Sequence, residues 1–382
     1  MDIKNIIDKL YKEHNASREE LIYLLDNITE KDQEYLFEKS NDIRLQNYGN
    51  KVYMRGLIEF TNYCKRDCMY CGIRKSNNKA DRYRLTFDEI IECADIGDKL
   101  GYKTYVLQGG EDAYFTDERM IEIIKEIKKR HPNNAITLSL GERSYDSYKK
   151  LFEAGADRYL IRHETASKHL YDKLHPGASF EERIQCLKNL KEIGYQVGDG
   201  FMVGLPGQTN NDLVDDLLFI KEFKPEMCGI GPFIPQKDTP LGKEEGGTLE
   251  KTVIMLAIIR LLLPDVLLPA STALGSVDPL GREKGVKAGA NVVMPNLSPV
   301  SVRKKYSLYD DKICTGEESA ECLDCLKRRI ESVGYTISFS RGDHNNIKRG
   351  VSWWQNTKTF VPNILSSFIK AMNFQKIMKR YL

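Results

Sequence analysis

Apolar residues in the first fifty positions recur at helical spacing, with Ile6 and Leu10 followed by Leu21, Leu24 and Leu25. Ser17-Arg-Glu-Glu20 reads as a capping box ahead of the second group, a serine and a glutamate each satisfying the other's backbone N–H. Residues 1–50 therefore read as a helical preface without chemistry of its own. From residue 51 the pattern changes. Apolar runs at 52–60, 102–108, 135–140, 158–162, 197–203, 227–233, 267–270 and 292–294 predict strands. Between them the apolar positions take the helical period, at 87–100, 120–130, 145–154, 180–193, 211–223, 249–263 and 282–288. Eight strands alternating with helices predict an α/β chain. The expected form is a (β/α)8 TIM-type barrel over 51–330, between the N-terminal helical preface and a C-terminal extension at 331–382. A six-strand partial barrel stays open, because the last two runs are short.

Composition narrows this picture only in part. A chain of 382 residues that is 41% hydrophobic and 29% charged has enough apolar matter for one large core and enough charge for a soluble surface. Its net charge of +2 supplies no global field to attract nucleic acid or an anionic membrane. The longest apolar run, 253–263, is interrupted by Arg260 and is too short to span a bilayer. Nine cysteines without an apolar leader at the N-terminus point to a reducing cytoplasm, where thiolates serve metals rather than disulfides. The extension carries Trp353-Trp354 and a basic end (Lys376, Lys379, Arg380), and reads as a tail anchored by burial.

In such a barrel the loops after the strands carry the chemistry. The first holds Cys64, Cys68 and Cys71, three thiols within eight residues. That crowding suits an iron–sulfur cluster, with one iron lacking a protein ligand and so open to a reactant. A structural zinc site would need a fourth ligand nearby, and no His or Cys follows Cys71 until Cys93. The second loop, Gln108-Gly109-Gly110-Glu111-Asp112, joins a glycine pair that admits close backbone approach to a carboxylate. The fourth strand ends in Arg162-His163-Glu164-Thr165, where Glu164 suits the two hydroxyls of a ribose. His163 reads as a satisfied hydrogen-bonding residue. Arg183 reads equally as a carboxylate clamp or as a surface partner of Glu181 or Glu182. Gly207-Gln-Thr209 before Asp212 reads as a turn and helix cap. A second group, Cys314, Cys322 and Cys325, again favours a metal, whereas Cys93, Cys186 and Cys228 lie in apolar runs and read as core.

The spacing of Cys64, Cys68 and Cys71, with Tyr70 before the third, resembles the signature of radical S-adenosylmethionine (SAM) enzymes. Leu107-Gln-Gly-Gly-Glu-Asp112, Ser139-Leu-Gly-Glu142, Arg158-Tyr-Leu-Ile-Arg-His-Glu-Thr165, Met202-Val-Gly-Leu-Pro-Gly-Gln-Thr209, Gly229-Ile-Gly-Pro-Phe-Ile-Pro235 and Ala290-Asn-Val-Val-Met-Pro-Asn296 follow in order. Together, from about residue 50 to 330, these motifs resemble the HydE family of FeFe-hydrogenase maturases. The resemblance implies a 4Fe–4S cluster on the three cysteines and reductive cleavage of SAM to a 5′-deoxyadenosyl radical. It implies SAM contacts from Tyr70, from Gln108, Gly109, Gly110 and Glu111 at the methionyl amino group, from Glu164 at the ribose and from Arg183 at the carboxylate. Arg162, Ser271, Thr272, Met294, Tyr306 and Tyr309 would line the cavity for an iron–carbonyl–cyanide–cysteine substrate. The family often has two threonines where this chain has Ser271-Thr272, so the hydroxyl is kept. Cys314, Cys322 and Cys325 would hold a second cluster (2Fe–2S or 4Fe–4S). The implied partners are a ferredoxin- or flavodoxin-type reductant and the other hydrogenase maturases. Two alternatives stay open: a biotin-synthase-like or methylornithine-synthase-like enzyme with an organic substrate, and a non-catalytic iron–sulfur scaffold.

Overall fold

A computed structural model of the chain describes residues 1–316 and 318–347. Met1–Gly342 forms one compact unit; the tail with Trp353-Trp354 and its basic end lies outside the described residues.

Three helices, Ile3–Glu13, Arg18–Asn27 and Glu30–Tyr48, form the preface. The Ser17–Glu20 capping box is present, and Thr29 with Asp32 makes a second. The third helix packs on Leu249–Leu262, a barrel helix whose residues from Thr252 onward are all buried. Arg44 fixes the preface to the barrel. Its fully buried guanidinium donates to the carbonyls of Gly49, Lys51 and Ala290 and lies 4.1 Å from the Tyr335 ring. Peptide oxygens are the partners that let a buried cation keep its hydrogen bonds without a carboxylate.

Six parallel strands follow in spatial order: Gly56–Thr61, Thr104–Gly109, Ala135–Ser139, Arg158–Leu160, Gln196–Asp199 and Met227–Cys228. Leu107 sits between Ile58 and Leu138 in register, and the near-continuous burial is what a parallel sheet covered by helices requires. The ring closes through isolated parallel bridges, Met227 to Leu267, Pro269 to Val292 and Leu57 to Asn296. The seventh position is thus made of bridges alone, and the eighth of the two-residue strand Val292–Val293.

The first predicted run is two strands, Lys51–Met54 and Gly56–Thr61. Lys51–Met54 pairs with Val292–Val293 on one side and with Thr336–Ser338 on the other, so residues past 330 add a strand at the end opposite the loops. The fifth run breaks at Gly200, whose φ of +151° and close approach to the Gly229 carbonyl admit no side chain. Among the described residues no helix is long and apolar enough to cross a membrane.

Candidate active site at the barrel mouth

The first barrel strand ends at Thr61, whose hydroxyl donates to Asp112 in the next loop (2.7 Å). The cysteine loop that follows is tied down by its backbone. Lys65 N donates to Glu111 O, Met69 N to Leu174 O and Gly72 N to Leu308 O, each at 2.9 Å. Asp67 accepts from Arg74, from the Ser76 amide and from its hydroxyl, which holds its carboxyl well below the usual range, the arginine contributing most. Cys64 Sγ lies 3.4 Å from two amides, those of Arg66 and Glu111.

Burial pushes all three thiols up, Cys68 to about 12, and neighbouring sulfurs push Cys68 and Cys71 further. Three such thiols become thiolates together only if positive charge stands among them. Among the described residues no three His, Cys, Asp or Glu side chains meet at the spacing of a single ion. Three thiols on one loop fit a four-iron cluster, each sulfur taking one iron and the fourth iron left without a protein ligand.

The second loop lies directly against this one. A Cβ on Gly109 would stand 2.7 Å from Thr61 Cγ2, and one on Gly110 2.2 Å from the Tyr63 carbonyl and 2.7 Å from Cys64 Cβ. Glu111, buried, and Glu142, half-buried, then alternate with cations. Arg66 Nε donates to Glu111 Oε2 (2.8 Å) and its Nη2 to Glu142, while Arg183 Nε donates to Glu142 Oε1 (2.6 Å). Arg183 Nη1 donates to the Arg162 carbonyl (2.7 Å). The surface reading of Arg183 is therefore corrected: it is 7% exposed, and its carboxylate partner is Glu142 of the third loop rather than Glu181 or Glu182 of its own helix.

Glu164 takes φ +68°, a left-handed conformation that costs a non-glycine residue energy. Its Oε1 accepts from Arg162 Nε (3.3 Å). Its Oε2 is buried 2.9 Å from Arg162 Nη2, yet takes no hydrogen bond from the protein. A buried carboxylate oxygen in that state is an acceptor for a ligand hydroxyl. Ser271 Oγ is likewise buried without a partner. Tyr70 is held by His175. Burial, with Arg183 as the next cause, pushes this histidine down to about 3, so it is neutral. Its Nδ1 donates to the Tyr171 carbonyl and its Nε2 accepts from the Tyr70 hydroxyl, both at 2.9 Å. Cys68 feels the charges of Arg183, Glu164 and Glu111, and Tyr70 those of Glu164 and Arg162. Residues from four loops thus share one mouth.

Tyr306 is buried beside the second loop, its hydroxyl accepting from Gln108 Nε2 (3.4 Å). Beside it lies a pair the sequence did not single out. Lys312 Nζ meets buried Glu59 Oε1 at 2.6 Å, and Asn296 donates to Glu59 Oε2 at 2.8 Å. The apolar neighbours of Glu59 in its strand were the available signal, since a charged residue there must be paired. Tyr309 faces Ser276, Arg282 and Cys314; Ser271 stands just before the short helix beginning at Thr272 without a side-chain capping bond; and Met294 is half-buried after the eighth strand. Of the second cysteine group, Cys314 Sγ accepts from Arg282 Nη2 (3.2 Å) and Cys325 is exposed, while the side chain of Cys322 lies outside the described residues.

His163 is indeed satisfied, and more strongly than its position on a strand end implied. It is fully buried between Asp199 and Asp216. The two carboxylates outweigh the burial penalty and lift it to about 10. A histidine lifted in this way stabilises the fold below its unfolded value near 6.5, and loses that contribution as pH rises toward 10. Denaturant midpoints measured from pH 6 to 9 are expected to fall with rising pH; a flat profile would contradict the charged assignment.

The radical SAM superfamily model matches residues 58–220. The [FeFe] hydrogenase maturase subunit HydE of Thermotoga maritima is 50% identical over 301 residues, 79% of this chain and 86% of that protein. The chain belongs to the HydE family of radical SAM enzymes. This HydE-family chain is also 30% identical to the 3-methylornithine synthase of Methanosarcina acetivorans, over 87% of its own length and 93% of the relative's. Among solved structures, methylornithine synthase (PylB) superposes with a TM-score of 0.77 at 27% identity, covering 87% of this chain and 97% of that one. The hydrogenase maturase HydG superposes with a TM-score of 0.75 at 21% identity, over 88% and 76%, and so shares the fold. The radical SAM family implies a 4Fe–4S cluster and SAM, and the crowded thiols and Glu164 Oε2, which takes no hydrogen bond from the protein, fit both groups.

Proposed function

We propose that this HydE-family enzyme acts in maturation of the FeFe-hydrogenase active-site cluster, on an iron–carbonyl–cyanide complex that carries cysteine. The observation that carries the reading is the 50% identity to the Thermotoga maritima maturase across four-fifths of the chain. When bound, the cluster and SAM supply a 5′-deoxyadenosyl radical after one-electron reduction. The chain's own residues do the rest. Cys64, Cys68 and Cys71 hold three irons, with Tyr70 packed beside them. Glu164 accepts the ribose hydroxyls, the Gln108–Glu111 loop faces the methionyl amino group, and Arg183 the carboxylate. Arg162, Ser271, Thr272, Met294, Tyr306 and Tyr309 surround the substrate and keep water from it.

The same reading includes a second iron–sulfur cluster on Cys314, Cys322 and Cys325, a ferredoxin- or flavodoxin-type reductant, contact with the other maturases, and a cytoplasmic location suited to the free cysteines. A second reading rests on the 30% identity to 3-methylornithine synthase and the PylB superposition: an amino acid as substrate. Anaerobically reconstituted protein, given dithionite and SAM, is expected to release 5′-deoxyadenosine, and to release it faster with the iron complex than with any amino acid. The reverse preference would establish the second reading. No 5′-deoxyadenosine at all would make the chain a scaffold.

A further inference from the structure

His163 lies next to Glu164 and is packed into the wall of the barrel, between Asp199 and Asp216. Its side chain is fully buried, and so are the two carboxylates that flank it. Asp199 comes from the fifth strand and accepts twice from His163, from the backbone amide (2.9 Å) and from Nδ1 (2.9 Å). Asp216 comes from the helix Asn210–Phe223 and faces Nε2 at 3.2 Å; its Oδ1 also accepts from the Ala166 amide. With a carboxylate at each ring nitrogen, both nitrogens donate, and the imidazolium bonds strand four, strand five and the following helix into one unit.

That unit brackets Glu164. Residue 163 is held by Asp199 and residue 166 by Asp216, while Glu164 N donates to Gly200 O (3.1 Å) and Met202 N to Glu164 O (3.1 Å). Between these clamps Glu164 sits at φ +68°, a conformation that persists only where the surroundings enforce it. The consequence is the aim of its carboxylate, whose Oε2 is buried at the mouth, ion-paired with Arg162 Nη2 (2.9 Å) but without a hydrogen bond from the protein.

We infer that His163, through Asp199 and Asp216, is the positioning residue that holds the Glu164 carboxylate in place for the nucleoside half of SAM. The inference rests on the reading of Glu164 as the ribose acceptor. It predicts an effect confined to one half of the ligand. A carboxylate–hydroxyl bond pair is worth a roughly tenfold or larger change in affinity, and misaiming the carboxylate forfeits most of it.

The test is a double-mutant cycle on cluster-loaded protein, with Kd for SAM, 5′-deoxyadenosine and methionine read separately by equilibrium dialysis. His163→Gln is expected to raise Kd for SAM and for 5′-deoxyadenosine about tenfold, leaving methionine unchanged. In a Glu164→Gln background the same change is expected to add less than about twofold. Equal losses in both backgrounds, or a loss shared by methionine, would reduce His163 to a packing residue and overturn the inference. Unchanged affinities for folded His163→Gln would do the same. If Glu164→Gln alone leaves SAM binding intact, the ribose reading itself has failed, and that result is distinct from the others. Should His163→Gln not fold, Asp216→Asn carries the cycle, since it keeps the side-chain volume and removes only the charge facing Nε2.

Discussion

Cys68→Ala is expected to yield folded protein that binds no 4Fe–4S cluster and forms no detectable 5′-deoxyadenosine. Cys68 stands between the other two thiols of the motif, and its sulfur lies in the field of Arg183, Glu164 and Glu111, the charges that surround the proposed SAM site. Losing a direct ligand should exceed the roughly 10- to 100-fold effects of outer-shell changes, because two thiols cannot hold the cluster in register with the mouth. The fold should survive. The loop is anchored by backbone bonds to Glu111, Leu174 and Leu308 that owe nothing to the Cys68 side chain. Iron content, electron paramagnetic resonance of the reduced protein and chromatography of the nucleoside product would check this together. Wild-type activity in this variant would remove the basis for placing the cluster at this loop.

Gly110→Ala is expected to weaken the same site without replacing a ligand. The new methyl would lie 2.2 Å from the Tyr63 carbonyl oxygen and 2.7 Å from Cys64 Cβ. A backbone carbonyl cannot rotate aside, so the second loop or the cysteine loop must move. Overpacking of this kind typically costs about 1–3 kcal/mol. Here the shift falls on Cys64, whose sulfur faces the amides of Arg66 and Glu111. The outcome looked for is reduced cluster loading and at least about a tenfold weaker SAM affinity, with circular dichroism unchanged. Full iron occupancy together with wild-type SAM binding would show that the two loops are not packed as described.

Several features of this chain were written in short stretches of sequence. The cysteine spacing marked the cluster loop, and the alternation of apolar periods marked the barrel and the order of its strands. Helix starts at Ser17 and Thr209 followed from residues three apart and are present as capping boxes. Each of these depends on neighbours within one or two turns, where geometry is set by chain connectivity. The weakly marked seventh run became bridges rather than a strand, because it meets each neighbour at a single residue pair, Leu267 with Met227 and Pro269 with Val292, and no ladder of consecutive pairs forms.

Only the tertiary structure decided which charges pair. Arg183 has glutamates beside it at 181 and 182, yet bonds Glu142, 41 residues away, and Lys312 reaches Glu59 across 253. His163 likewise meets Asp199 and Asp216, 36 and 53 residues on. The physical reason is the closing of the ring. Closure brings strand ends far apart in sequence to one mouth, where buried charges must take the partner that burial offers them, and linear spacing carries no record of that choice.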